Sequence, residues 1–269
     1  MIKQEIRSLR QGGLSYREIC KKLGLSYGIV QRNCSMIQMS TAGLIRHSAL
    51  NGLTKQIKLP KGLNEAKVRI MGNLLFDGAV YISRGYHYSI MYVNSSNELI
   101  NQFIEDMRKI YKIEHSGLEI TPTYTRVKYN SKMIYLDLKM YFKSYSTSNK
   151  KCCIPDDIIN GPKSFKIILM RAFWENEGSI SKSGQLAADL KSLRVIKQLS
   201  KLHNEFGLKH NISEYSNNGQ MYKLFLAKRR ENYERFVKLE LFSKAIITKG
   251  INKGRKKVKV LKMMNSVYH

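Results

Sequence analysis

Two carboxylates stand at the ends of two apolar runs, one hundred residues apart. Asp77 closes Ile70-Met71-Gly72-Asn73-Leu74-Leu75-Phe76-Asp77-Gly78, and Glu177 closes Met170-Arg171-Ala172-Phe173-Trp174-Glu175-Asn176-Glu177-Gly178. Each run has a small residue at its third position and an acid before its final glycine. A carboxylate at the end of an apolar helix is costly to bury unless it binds a cation. Two of them in equivalent places of two half-domains predict one divalent-metal site where the halves meet. The alternative is a pair of helix ends whose acids are simply solvated.

The charge balance names the class of partner. Lys and Arg number 47 against 20 Asp and Glu, a net charge of +27. Such an excess opposes compaction by self-repulsion and calls for a polyanion. Nucleic acid is the expected one, because neutralising phosphates releases counterions. A membrane surface is the competitor, but no apolar run approaches the roughly 18 residues of a spanning helix, and no signal-peptide core is present. The cysteines, Cys20, Cys34, Cys152 and Cys153, form no C-x-x-C pair. They read as reduced structural thiols in an intracellular protein rather than as zinc ligands.

Elements that position the acids follow from periodicity. Residues 1–40 read as three helices. The first carries Ile2, Ile6 and Leu9, and the second opens on the capping box Ser15-Tyr16-Arg17-Glu18 and ends at Gly24. The third is capped by Ser26 and runs to about Met36. This pattern resembles the helix-turn-helix of resolvase and homeodomain-like DNA binders, which implies that Tyr27, Gln31 and Arg32 face the major groove. Residues 41–64 read as a linker with a short helix. From residue 65 a unit α-β-β-α-β-β-α occurs twice, over 65–160 and 161–269. In the first copy the hairpins are Ala79–Ser83 with Tyr86–Val93, and Glu119–Tyr129 with Met133–Phe142, the second turning at Asn130-Ser131. In the second copy they are Ser179–Lys182 with Gln185–Asp189, and Ile212–Tyr215 with Met221–Ala227. Beyond Glu240 no acid occurs, and Lys244, Lys249, Lys253, Arg255, Lys256, Lys257, Lys259 and Lys262 form a basic tail suited to lying along phosphates.

The paired motifs, each followed by hairpin, helix and hairpin, resemble the LAGLIDADG homing endonucleases in their single-chain, two-repeat form. The segment Ile154-Pro155-Asp156-Asp157-Ile158-Ile159-Asn160-Gly161-Pro162 is also similar to that family. The resemblance implies an α+β fold in which two pseudo-symmetric repeats form a saddle-shaped DNA-binding sheet, preceded here by the small all-α module. It implies that the motif helices pack through Gly72 and Ala172, and that Asp77 and Glu177 bind Mg²⁺, two or more ions per active site. It further implies a basic residue in each half that positions water or stabilises charge. By position these are Lys151 and Lys249, with Lys150, Lys139 and Lys228 close behind. Leu75 departs from the family pattern, where many motifs carry a first acid, and Met71, Asn73 and Arg171 are atypical. Family members used as transcription regulators lose the acids, and both acids are present here.

Hairpin strands fit the major groove as ribbons, and their polar positions supply the candidate DNA contacts Arg84, Arg126, Lys128, Lys132, Lys182, Lys191 and Lys223. Two other nuclease patterns are weaker. Asp137-Leu138-Lys139 mimics a D-x-K motif but reads as mid-strand, and His203-Asn204 with His210-Asn211 reads as packing and capping around a helix. The expected activity is metal-dependent double-strand cleavage of a long asymmetric DNA target by a monomer. The expected setting is intracellular, in the cytoplasm or nucleoid, or in an organelle or nucleus, with a freestanding or intron-encoded origin. The alternatives are a catalytically silent DNA-binding regulator and a maturase acting on intron RNA.

Overall fold

The computed structural model describes residues 2–50, 57, 59–216, 219–247 and 254–266. The chain divides into two compact units, one of residues 1–59 with 131–141, the other of residues 60–130 with 142–269.

The first unit begins with helices α1 (Ile2–Gln11), α2 (Tyr16–Leu23) and α3 (Tyr27–Cys34). Ile6, Leu14, Ile19, Val30 and Cys34 form its buried core. The capping box is present in full: the Glu18 backbone N–H donates to Ser15 Oγ and the Ser15 N–H to Glu18 Oε2. Gly24 ends α2 at φ 65°, a left-handed conformation that glycine adopts without a Cβ penalty. The stretch read as a linker contains α4 (Thr41–Leu50), which packs on the later helix α7 (Lys132–Tyr141).

The second unit contains the repeats. Helix α5 (Glu65–Asp77) leads to β1 (Gly78–Ser83) and β2 (His87–Asn94), then α6 (Asn97–Tyr111), β3 (Gly117–Ile120) and β4 (Thr125–Asn130). The short helix α8 (Asp156–Ile159) precedes the second copy: α9 (Lys163–Glu177), β5 (Gly178–Ile180), β6 (Leu186–Leu190), α10 (Leu193–Glu205), β7 (His210–Ser216), β8 (Gln220–Leu226) and α11 (Arg230–Lys238). The pair β9 (Ile246–Ile247) and β10 (Gly254–Arg255) and helix α12 (Lys256–Ser266) follow. The sheets are antiparallel with matching orders, β1-β2-β4-β3 and β5-β6-β8-β7. In each, the glycine after the motif acid begins the first strand, Gly78 opposite Tyr92 and Gly178 opposite Ala188. No described helix is long and apolar enough to cross a membrane.

The second hairpin of the first repeat lies ten residues or so earlier than the sequence predicted. Its strands are β3 and β4, joined at 121–124, where the Thr121 N–H donates to the Tyr124 carbonyl at 2.9 Å. Pro122 lies in the stretch read as one strand and cannot donate to a ladder, so the chain turns there. Residues 132–141 are helical, not a strand. Ser131 is the reason: its Oγ accepts from the Ile134 N–H at 3.3 Å and its carbonyl from the Tyr135 N–H at 3.0 Å. The residue read as a turn is a helix cap. Asp137 and Lys139 thus lie on α7, where burial pushes the Lys139 ammonium below its ordinary pKa.

Helices α5 and α9 pack against each other through the two small residues. A Cβ built on Gly72 would stand 2.7 Å from the Ala172 Cβ, closer than two carbons tolerate. Phe76 and Phe173 flank the crossing with ring centroids 5.4 Å apart. Gly72→Val is therefore expected to destabilise the unit by about 3 kcal/mol, since overpacking a tight core forces backbone shifts. Urea unfolding checks this, with Gly72→Ala/Ala172→Gly as the compensated control that recovers most of the loss.

Candidate active site

Each motif helix ends at its acid, so the α5–α9 crossing brings Asp77 and Glu177 to the same end of the helix pair. Both side chains are half-buried, not solvated helix ends. Burial pushes the Asp77 carboxyl up to about 6, opposed by the charge of Lys256 and by a hydrogen bond from Asn94. Burial pushes Glu177 up to about 8, reinforced by the charges of Asp77 and Asp189 and opposed again by Lys256. The two acids therefore repel one another across the repeat boundary, and one lysine answers both.

That lysine belongs to the basic tail expected to lie along phosphates. Lys256 begins α12 and is 9% exposed. Its Nζ donates to the Gly178 carbonyl at 2.5 Å and stands 5.2 Å from the centre of the Phe242 ring. Burial pulls its pKa down, and Asp77, Glu175 and Glu177 hold it up. Part of the basic tail is thus an internal counter-charge, not a phosphate contact. Its neighbours are engaged too: Arg255 pairs with Glu98, and Lys259 Nζ donates to the Ile180 carbonyl at 3.2 Å.

A chain of amides holds the acids in place. Asn94 Nδ2, at the end of β2, donates to Asp77 Oδ2 at 3.1 Å and to Asn176 Oδ1 at 3.0 Å. The buried Tyr92 hydroxyl donates to the same Asn176 oxygen at 2.9 Å. Asn176 Nδ2 donates to Asn73 Oδ1 at 3.1 Å and to the Ala172 carbonyl at 2.7 Å. Asn73, atypical in the motif, is therefore the link between the two helices. Arg171, equally atypical, donates to the carbonyls of Leu239 and Glu240 beyond the end of α11. Glu175 is structural: its Oε1 accepts from Ser243 N–H, Ser243 Oγ and Lys244 N–H at 3.2, 2.6 and 2.9 Å.

Among the described residues, the lysine whose charge acts on both Asp77 and Glu177 is Lys256. Lys151 is exposed in a turn, its backbone N–H bonded to Asn149 Oδ1 at 2.8 Å. Lys249 lies outside the described residues, as do Asn217 and Asn218 of the last hairpin turn. Lys228 Nζ donates to Ser183 Oγ at 3.1 Å. Sequence reasoning missed Lys256, Asn94 and Asn176. The amides left one usable signal, since Asn176 immediately precedes a motif acid.

The expected DNA contacts fall on several elements. Arg84 and Lys182 are exposed at the turns of the first hairpins, Arg84 with φ 50° beside Gly85 at φ 75°. Arg126 and Lys128 share the face of β4 opposite the buried Thr125, Val127 and Tyr129, and Arg126 pairs with Glu119 at 2.8 Å. Lys223 on β8 lies 3.5 Å from Asp189. Lys191 is exposed between β6 and α10. Lys132 is the first residue of α7 and not part of a hairpin. Tyr27, Gln31 and Arg32 are exposed on α3. The two histidines are packing groups: His203 is fully buried, accepts from Trp174 Nε1 at 2.9 Å, and is driven down to about 3 by desolvation.

Among the described residues no group of three or more His, Cys, Asp and Glu side chains is placed to enclose a metal. Two hard carboxylate oxygens donors suit Mg²⁺, which keeps several waters and takes one or two protein carboxylates together with phosphate oxygens. The acid pair fits an ion shared with a nucleic-acid phosphate, not an ion caged by protein.

No family model matches this chain. No curated protein matches it by sequence either. Solved structures do match. I-DmoI in complex with DNA and Mn aligns at a TM-score of 0.51 and 15% identity, over 66% of this chain and 97% of that one. Mesophilic variants of the homing endonuclease I-DmoI align at 0.50 and 17% identity, over 66% and 92%. Full-length DUF199/WhiA from Thermatoga maritima aligns at 0.50 and 12% identity, over 79% of this chain and 64% of that one. The chain has the α+β fold of the LAGLIDADG proteins, with a motif acid from each repeat at the centre.

Proposed function

We propose that this chain is a site-specific DNA endonuclease of the LAGLIDADG homing type, making metal-dependent double-strand breaks in a long asymmetric target. The observation that carries this reading is the convergence of Asp77 and Glu177, one from each repeat, in a half-buried place that suppresses their charge. A bound Mg²⁺ would lower the pKa of an attacking water and stabilise the leaving 3′ oxygen. Asp77 and Glu177 would hold it, Asn94 orients Asp77, and Asn176 fixes the spacing of the two helices. Support comes also from I-DmoI, whose structure contains DNA and Mn. The net charge of +27 suits a duplex partner. With both halves in one chain, a monomer suffices for an asymmetric site. The N-terminal helices would add contacts through Tyr27, Gln31 and Arg32.

The test is incubation with a plasmid library of candidate sites in Mg²⁺ or Mn²⁺, comparing the wild-type protein with Asp77→Asn. Linear product from wild type and a loss of about a thousandfold or more in the variant is the expected result, the size seen when a group acting only in the transition state is removed. Wild-type protein that binds DNA and never cuts it with any divalent metal sinks the proposal. One observation favours that outcome. Lys256 already supplies positive charge to both acids, as a silent DNA-binding regulator with the same fold could use. In that reading Asp77→Asn leaves DNA binding intact.

A further inference from the structure

We propose that a cleft at the start of α10 is a binding site for the phosphate of a nucleotide. The cleft has a volume of about 450 Å³ and is lined by Lys150, Lys191 and Arg194, with Ser192, Gln220 and Tyr222 among the polar groups between them. No acid lines it. None of the three cations has a carboxylate partner among the described residues, whereas Arg69, Arg108, Arg126, Arg171 and Lys223 each do. Three like charges around one concavity repel each other, and an anion in it converts that repulsion into attraction.

The equivalent place in the first repeat shows that the fold does not require this. Gly78 pairs with Tyr92 and Gly178 with Ala188, which makes Ser96 the counterpart of Ser192 and Glu98 the counterpart of Arg194. At the start of α6 the chain fills the space itself. Ser96 Oγ donates to the Lys244 carbonyl at 2.8 Å, Lys244 Nζ bonds Gln102, and Glu98 pairs with Arg255. In the second repeat the acid is replaced by an arginine and the place stays open. Neither Asp77 nor Glu177 nor the amides that hold them line the cleft. Tyr222 shares the helix-facing side of β8 with Leu224 and Leu226, while Lys223, paired with Asp189, is on the other. Phosphate oxygens suit Arg and Lys as charged, hydrogen-bonding partners, and the volume leaves room for a sugar and base beside Tyr222.

The experiment uses the full chain without metal, so its outcome does not depend on whether the protein cleaves DNA. Deoxyadenosine monophosphate is titrated by equilibrium dialysis at low ionic strength, alone and against inorganic phosphate. Binding that inorganic phosphate displaces, weakened at least tenfold by Arg194→Glu and less than twofold by Lys109→Glu, supports the site. Lys109→Glu makes the same charge change on the exposed face of α6. Lys150→Met/Lys191→Met, which leaves α10 untouched, is expected to weaken binding at least tenfold as well. Equal losses in Arg194→Glu and Lys109→Glu, or no binding by wild type, overturn the proposal. A saturating duplex then identifies the source within a supported site: displacement assigns the cleft to a backbone phosphate of DNA, co-occupancy to a free nucleotide.

Discussion

Without divalent cations, Glu177→Gln melts at a higher temperature than the wild-type protein at pH 9, by about 5 °C, and at the same temperature at pH 4. The sign follows from the protonation of the native state. A carboxyl raised from 4.5 to about 8 binds its proton more tightly folded than unfolded. Between those values the native state holds more protons, so stability falls as pH rises. Below 4.5 both states are neutral and the glutamate has no cost. Above 8 the folded protein carries the whole penalty of a desolvated charge beside Asp77. Asp77 adds a smaller fall between 3.8 and about 6. A penalty of about 2 kcal/mol corresponds to roughly 5 °C in a domain of this size. Glutamine keeps the shape and removes the charge, so the variant keeps only the smaller fall due to Asp77 and its melting temperature is flat above about pH 6. Differential scanning calorimetry from pH 4 to 9 checks it. A wild-type curve that rises with pH over this window rules out a desolvated pair. Adding Mn²⁺ at pH 9 is expected to raise the wild-type melting temperature and leave Glu177→Gln nearly unmoved, because a ligand stabilises only the protein that binds it.

Lys256→Met reverses its effect on stability with pH. At pH 9 the acids are largely charged, and removing their buried counter-ion leaves them uncompensated. Breaking one partner from such a group costs about 3 kcal/mol. At pH 5 the carboxyls of Asp77 and Glu177 are mostly protonated, so the buried lysine has lost the charge of two of the carboxylates that hold it up, and methionine relieves part of its cost. The variant is therefore less stable than wild type at pH 9 and more stable at pH 5. In Lys256→Met/Glu177→Gln the loss at pH 9 shrinks, since the partner charge is gone, and the two substitutions are not additive. Urea unfolding of the four proteins at both pH values measures the coupling. A pH-independent effect would mean that Lys256 packs against Phe242 and Gly178 without acting on the acids.

Much of the architecture was legible because its signals are local. The apolar period of α5, α6, α9 and α10, the Ser15–Glu18 capping box and the Arg84-Gly85 turn each announce themselves within a few residues. The acid pair was legible because it repeats. The misplacement of the first repeat's second hairpin has a physical cause. Residues 132–141 alternate well enough to pass as a strand, and one hydroxyl, Ser131, decides for helix by capping it. Lys256 was not legible, since among many lysines in a basic segment nothing marks the one that folds inward. The carboxylates it answers are brought to it by tertiary packing, from 79 residues or more away in sequence. The same holds for Asn94, which is unremarkable as a strand end until β2 brings it to Asp77. The acids of a site like this are readable from pattern, and its counter-charge only from the packed chain.

The position of Lys256 also sets an order of events during synthesis. The two motif helices and both sheets are complete once residue 226 has been made, but the charge that balances the acids arrives with α12. A nascent chain that has emerged only as far as β8 holds the two acids at the crossing of α5 and α9 without the lysine that favours their charged forms. Of the groups that meet at this centre, the counter-charge is the last to be synthesised.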